Sequence, residues 1–147
     1  MSWKERLIAA IGGAAVALAV PLVQKYEGTV LRSYRDPVNV LTSCTGQTFT
    51  REQCEEMLYK DLAKHADALS CVRAPLTDAQ RAAFLSFAFN VGDDAFCRST
   101  LVRKANAGDM DGACAELSRW TYAGGKQLPG LVKRRAAERQ LCERGLA

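Results

Sequence analysis

From Leu7 to Gln24 the chain carries no charged side chain, with Lys4 and Arg6 ahead of the run and Lys25 behind it. The run sits near the lower length limit of a membrane span, about 17 to 25 residues. It is rich in alanine and glycine, which weakens its preference for hydrocarbon. Further on the pattern becomes that of amphipathic helices. Thr50-Arg-Glu-Gln53 is a capping box that predicts a helix toward Leu69, and Thr77-Asp-Ala-Gln80 predicts another toward Asn90. Ala82, Ala83, Phe84, Phe87, Ala88 and Val91 recur at helical spacing as a core face, and Val91-Gly92-Asp93-Asp94 breaks that helix. Ser99 caps a helix through Ala105, and Asp109 caps one through Trp120. A turn at Gly124-Gly125 and Pro129 precede a last basic helix that Gly145 ends.

Between the apolar run and these helices lies a shorter, mixed stretch. Tyr26-Glu27-Gly28 lies at the end of the apolar helix, with Gly28 as the place where it loosens or stops. Asp36-Pro37 signals a turn, and Val38, Val40 and Thr42 alternate with Asn39 and Leu41 as a short strand. Glu27 on a helix, Asp36 on a turn and Thr42 on a strand are thus placed to wall one cleft. A carboxylic acid that protonates a leaving oxygen, opposed by a carboxylate that activates water, is equipment for cleaving a glycosidic bond. An inverting pair holds its carboxyls about 6.5 to 9.5 Å apart, with the acid kept protonated by partial burial and its partner ionised. Taken alone, the triplet reads first as two ordinary surface carboxylates and a strand threonine.

At these residues the chain resembles the phage-type lysozymes, glycoside hydrolase family 24, which show a Glu at a helix end, an Asp nine residues later and a Thr six beyond. Further segments resemble the family's C-terminal lobe in order: Asp78 to Gly92, Ser99 to Asn106, Trp120 to Gly125 and Pro129 to Arg139. The resemblance implies an α+β, predominantly helical, lysozyme-like fold with a small, shortened β lobe and a helical C-terminal lobe. It implies hydrolysis of the link between N-acetylmuramic acid and N-acetylglucosamine in peptidoglycan, without a cofactor. Glu27 would be the general acid, Asp36 would activate or position water, and Thr42 would hold that water or support the carboxylate. Phe89 and Asn90 would line the sugar-binding cleft, and either Arg134 or Arg135 would pack close to Glu27. The chain departs from the family at Asn39, where glycine is usual, at Leu41, often tryptophan, and at Gln47, usually histidine. The segment after Thr42 is also short. These departures motivate the alternative of a catalytically weak or inactive lysozyme-like wall-binding protein.

The uncharged run admits a cleavable signal peptide ending near Ala17-Leu18-Ala19, a permanent anchor, a buried core helix, or a signal-anchor-release segment. The last resembles what several lambdoid endolysins carry and accounts for the weak hydrophobicity. It divides the chain into an export segment, residues 1–24, and a muramidase domain, residues 25–147. Lysine and arginine before the run place the N-terminus in the cytoplasm and the body outside. The expectation is export across the host inner membrane, a transient tether through residues 7–24, then release into the periplasm. Because Glu27 follows the run so closely, release would assemble the site.

Six cysteines, Cys44, Cys54, Cys71, Cys97, Cys114 and Cys142, fit an oxidising compartment and allow 15 pairings. The resemblance implies Cys44 with Cys54, Cys71 with Cys97 and Cys114 with Cys142. There is no CxxC, and the single histidine, His65, lies in a charged helix and reads as a solvated residue, so no metal site is expected. The net charge of +4 and pI near 8.8 favour an anionic polymer. Lys133, Arg134, Arg135 and Arg139 form the densest basic cluster, read as a solvated helix face interspersed with Glu138 and Glu143 rather than a nucleic-acid site. A monomer with one usable core is the expectation for 147 residues.

Overall fold

The computed structural model describes residues 1–32 and 51–146. The chain begins with α1 (Trp3–Ile11), whose cap Ser2 accepts from the Glu5 N–H while the Glu5 side chain accepts from Ser2. Gly12 ends it with φ 92° and ψ 151°, a conformation that strains any residue with a Cβ. Its N–H still donates to the Ile8 carbonyl at 2.7 Å. α2 (Gly13–Arg32) then departs, and the pair is bent by 116°. The uncharged run is therefore two helices, both folded into the core. Leu7, Ile11, Ala15, Val16, Ala19, Val20 and Val23 are buried, nearly all at spacings of three or four residues that make one stripe. Among the described residues no single helix is long and apolar enough to cross a membrane, though the bent pair together has the length and composition.

Of the two outcomes open at Gly28, a stop does not occur: α2 continues to Arg32. Glycine costs a helix about 1 kcal/mol against alanine, which weakens a helix without ending it. The strand expected over Val38–Thr42, and with it the small β lobe, lies outside the described residues.

α3 (Arg51–Ala66) receives α1 on its side, and the Trp3 N–H donates to Glu56 at 3.2 Å. The expected helix toward Leu69 is completed not as α-helix but as a 3-10 turn, Asp67–Cys71. α4 (Asp78–Val91) starts at Thr77 with the capping box the sequence predicts: Thr77 accepts from the Gln80 N–H at 3.1 Å and Gln80 from the Thr77 N–H at 3.0 Å. It runs through the centre, burying every residue from Ala82 to Ala88, with α2 on one side and α8 (Pro129–Arg144) on another.

Gly92, at φ 99°, turns the chain into a short helix the sequence did not announce, α5 (Asp93–Cys97). The two aspartates that looked like a break supply negative charge in its first turn. α6 (Thr100–Asn106) is capped by Ser99, which accepts from the Val102 N–H at 3.2 Å, and α7 (Met110–Glu116) by Asp109, which accepts from the Gly112 N–H at 2.9 Å. α7 ends in a 3-10 turn, Leu117–Arg119, rather than continuing to Trp120 as α-helix. The strands β1 (Tyr122–Ala123) and β2 (Lys126–Gln127) pair antiparallel across Gly124 and Gly125. Both glycines have positive φ, 59° and 79°, as a two-residue hairpin turn requires.

Phe84, Phe87 and Phe96 meet at the centre, and Trp120 sets its ring edge-on to Phe87 at 5.2 Å. Two disulfides tie the later helices: Cys71 to Cys97, and Cys114 of α7 to Cys142 of α8. The pair Cys44–Cys54 involves a residue outside the described ones.

Candidate active site

Glu27 lies in the last third of α2, with 35% of its side chain exposed. It lines a cleft of about 500 Å³ together with Tyr26, Asn90 at the end of α4, and Leu128, Lys133 and Arg134 at the start of α8. Three stretches far apart in sequence thus converge on one carboxylate. The Tyr26 hydroxyl donates to the Lys133 carbonyl at 3.3 Å, tying α2 to α8 at the rim.

Beneath the cleft lies a buried charge network. Arg134 Nη1 donates to Glu27 Oε1 at 2.6 Å. The same guanidinium donates through Nη2 to the Ser86 carbonyl at 3.1 Å and through Nε to Glu138 Oε2 at 3.3 Å. Glu138 is fully buried and also accepts from the Ser86 hydroxyl at 2.5 Å. Arg135, equally buried, places Nε 2.8 Å from Glu138 Oε1 as an ion pair without hydrogen-bond alignment, sets its guanidinium over the Phe87 ring, and donates from Nη2 to Asn90 Oδ1 at 2.7 Å. Two cations and two anions alternate, which is what makes their burial tolerable.

Burial pushes the Glu138 carboxyl above its ordinary range, against the pull of Arg135, the Ser86 hydroxyl and Arg134. Burial also lowers Arg135 to about 10, with Arg134 adding to the fall while Glu138 and Glu27 oppose it. Both directions have one cause: water is absent where the charges lie.

The sequence left open whether Arg134 or Arg135 approaches Glu27; the geometry selects Arg134. It also corrects the reading of the basic cluster as a solvated face. Arg134 and Arg135 are 3% and 0% exposed, whereas Lys133 is exposed and Arg139 pairs with Glu143 at 2.7 Å. A charge count along the helix does not distinguish a cation facing water from one facing a buried acid. The spacing of Glu138, three residues after Arg135 and four after Arg134, and the lone Ser86 among apolar residues of α4, were the available signals.

Asn90 is exposed in the cleft, its carbonyl oxygen held by Arg135 so that its amide hydrogens are left for other partners. Phe89 is half-buried and is not part of the wall around Glu27; its ring meets His65 edge-on at 5.2 Å. His65 is accordingly not a solvated residue. It is half-buried, with Nδ1 2.6 Å from Asp93 Oδ1, because the start of α5 folds back beside α3. Asp36 and Thr42, and the altered positions Asn39, Leu41 and Gln47, lie outside the described residues.

The profile of the Phage lysozyme family matches residues 24–138. The SAR-endolysin of Bacteriophage PS119 is 40% identical over 155 residues, spanning 95% of this chain and 93% of that one. Among solved structures, the muramidase domain of SpmX from Asticaccaulis excentricus superposes with a TM-score of 0.71 at 30% identity, over 90% of this chain and 96% of the other. The endolysin from Escherichia coli O157:H7 phage FAHEc1 gives 0.68 at 25% identity, over 85% and 90%. With a lysozyme-like fold, a cleft acid held by a buried arginine and a family match over most of its length, this chain belongs to the phage lysozyme family and is a muramidase of the glycoside hydrolases.

Proposed function

We propose that the chain is an endolysin that hydrolyses the β-1,4 link between N-acetylmuramic acid and N-acetylglucosamine in peptidoglycan during host lysis, with Glu27 as general acid. The observation that carries this reading is the position of Glu27: half-buried on the wall of an open cleft, with one carboxyl oxygen engaged by Arg134 and the rest of the group facing the space a glycan would occupy. A protonated Glu27 donates to the departing glycosidic oxygen, and water completes the hydrolysis from the opposite face of the sugar. Asp36 is assigned the activation of that water and Thr42 its positioning, on the strength of their intervals from Glu27. Asn90 offers amide hydrogens to the sugar from the far side of the cleft; Phe89, packed against the core next to it, is assigned to the substrate site by the family resemblance alone. The matched relatives are named endolysins, which favours lysis over a wall-binding role.

Residues 1–24 act in this reading as a signal-anchor-release segment, and residues 25–147 as a monomeric muramidase domain that reaches the periplasm. The bent helix pair and the SAR-endolysin relatives support it. So does the start of the family match at residue 24.

Turbidity loss of chloroform-treated cells, compared between the parent protein and Glu27→Gln, tests the assignment. Lysis by the parent and none by the variant is expected; equal lysis rules out acid catalysis by Glu27.

A further inference from the structure

Glu138 neither lines the cleft nor reaches solvent, yet it shares a guanidinium with Glu27. We infer that Glu138 is a positioning residue for the catalytic acid: through Arg134 it sets where that guanidinium sits and how much of its charge is left to hold Glu27 in its ionised form. The inference rests on the reading of Glu27 as the acid.

Arg134 is fixed by three residues. The Ser86 carbonyl takes Nη2 at 3.1 Å and the Ser86 hydroxyl oxygen takes it more weakly at 3.4 Å, Glu138 Oε2 takes Nε, and Glu27 takes Nη1. Glu138 is in turn held by the Ser86 hydroxyl and flanked by Arg135. Arg134 is therefore divided between two carboxylates, one fully buried and one open to the cleft. A cation shared in this way stabilises each anion less than a cation given to one alone. An acid catalyst must hold its proton until the leaving oxygen needs it, so a guanidinium at 2.6 Å with no second anion would work against catalysis. Burial pushes the Glu138 carboxyl upward, but Arg135, the Ser86 hydroxyl and Arg134 all favour its ionised form, and as that ion it is the second anion on Arg134.

The surrounding charges are accounted for among the described residues. The cleft side of Glu27 carries Lys25 and Tyr26 from α2 and Lys133 and Arg134 from α8, while α4 contributes the uncharged Asn90. Arg135 lies near enough to feel the Glu27 charge. Around Glu138, α4 offers Ser86 and α8 offers Arg134 and Arg135. The buried acid of α7, Glu116, is engaged by Lys104 and Arg119. Glu138 is the anion that counterbalances Arg134 from below.

The test is the pH profile of kcat and KM on soluble, uncross-linked peptidoglycan strands, with the full chain carrying Glu138→Gln, Glu138→Asp, Ser86→Ala or Glu27→Gln, each checked by urea unfolding. Glu138→Gln keeps the shape and removes the charge. Its alkaline limb of kcat should move to lower pH by about 1 unit, the low end of what an opposite charge nearby does to a carboxyl. Glu138→Asp, which restores the charge, should return the limb most of the way. A limb that stays in place in Glu138→Gln while stability falls overturns the inference and leaves Glu138 a packing residue. A limb displaced equally in Glu138→Asp also overturns the role of charge. If Glu138→Gln does not fold, Ser86→Ala decides: loss of the hydroxyl makes Glu138 easier to neutralise, so a smaller displacement in the same direction is expected, and none overturns the inference. Full activity in Glu27→Gln would instead remove the acid assignment itself, an outcome separate from the other variants.

Discussion

Arg134 Nη1 lies 2.6 Å from Glu27 Oε1, joining two helices whose contact residues are 107 positions apart in the chain. The pair fixes the end of α2 against α8 where the cleft opens, so the position of the Glu27 carboxylate depends on a helix from the other end of the sequence.

Replacing Arg134 by alanine should therefore damage both stability and turnover. It leaves Glu138 buried beside one arginine instead of two and frees Glu27 to swing, a loss on the order of 3–5 kcal/mol for breaking a buried ion pair. Arg134→Lys should recover only part, because an ammonium cannot serve three acceptors in the plane of a guanidinium. Urea unfolding midpoints and initial lysis rates check both; a lysine variant equal to the parent would show that the fork geometry is dispensable.

The disulfide between Cys114 and Cys142 closes a loop across α7, the hairpin and most of α8, with a sequence separation of 28. Cys114→Ala with Cys142→Ala should lower stability by about 3–4 kcal/mol through the freed entropy of the unfolded chain. The two cysteines are fully buried, so the apolar replacement keeps the core dry. Thermal unfolding of parent and double variant, with and without reductant, measures the difference; a midpoint unchanged in the double variant contradicts it.

Gly12 carries the bend between α1 and α2, and Arg81 Nε donates to the Ile11 carbonyl at 3.1 Å beside it. A Cβ at Gly12 would meet only Asp78 Oδ1 at 3.9 Å, so room is not the obstacle; φ of 92° is. Gly12→Ala should destabilise the bent arrangement by on the order of 1–3 kcal/mol. On the proposed role of residues 1–24, the same variant should remain with the membrane fraction after cell disruption more than the parent does. An unaltered unfolding midpoint and an unaltered distribution between membrane and soluble fractions would both speak against the bend being set at Gly12.

The caps at Thr77, Ser99 and Asp109, the core stripe of α4 and the turn at Gly124-Gly125 were legible in the sequence because each is a contact between residues a few positions apart. The same locality explains the small errors. α3 and α7 finish as 3-10 turns, and α5 forms where Gly92 and two aspartates suggested only a break, since the neighbours that fix those ends are distant in the chain. Glu27 was legible as a candidate acid from its intervals to Asp36 and Thr42 and from the motifs downstream.

What the sequence by itself determined is a helical protein of the phage lysozyme family with a candidate acid just after an uncharged run. Tertiary structure decided which way that run goes, because a stripe of alanines, valines and leucines is as suited to a core as to lipid, and only the packing of α1 on α3 and α2 on α4 commits it here. It also decided that Arg134 holds Glu27 and that Arg135 and Glu138 lie in the dark beneath. The reason is physical: periodicity reports which faces avoid water, whereas the partner of a buried charge is chosen by helices that meet only after the chain has folded.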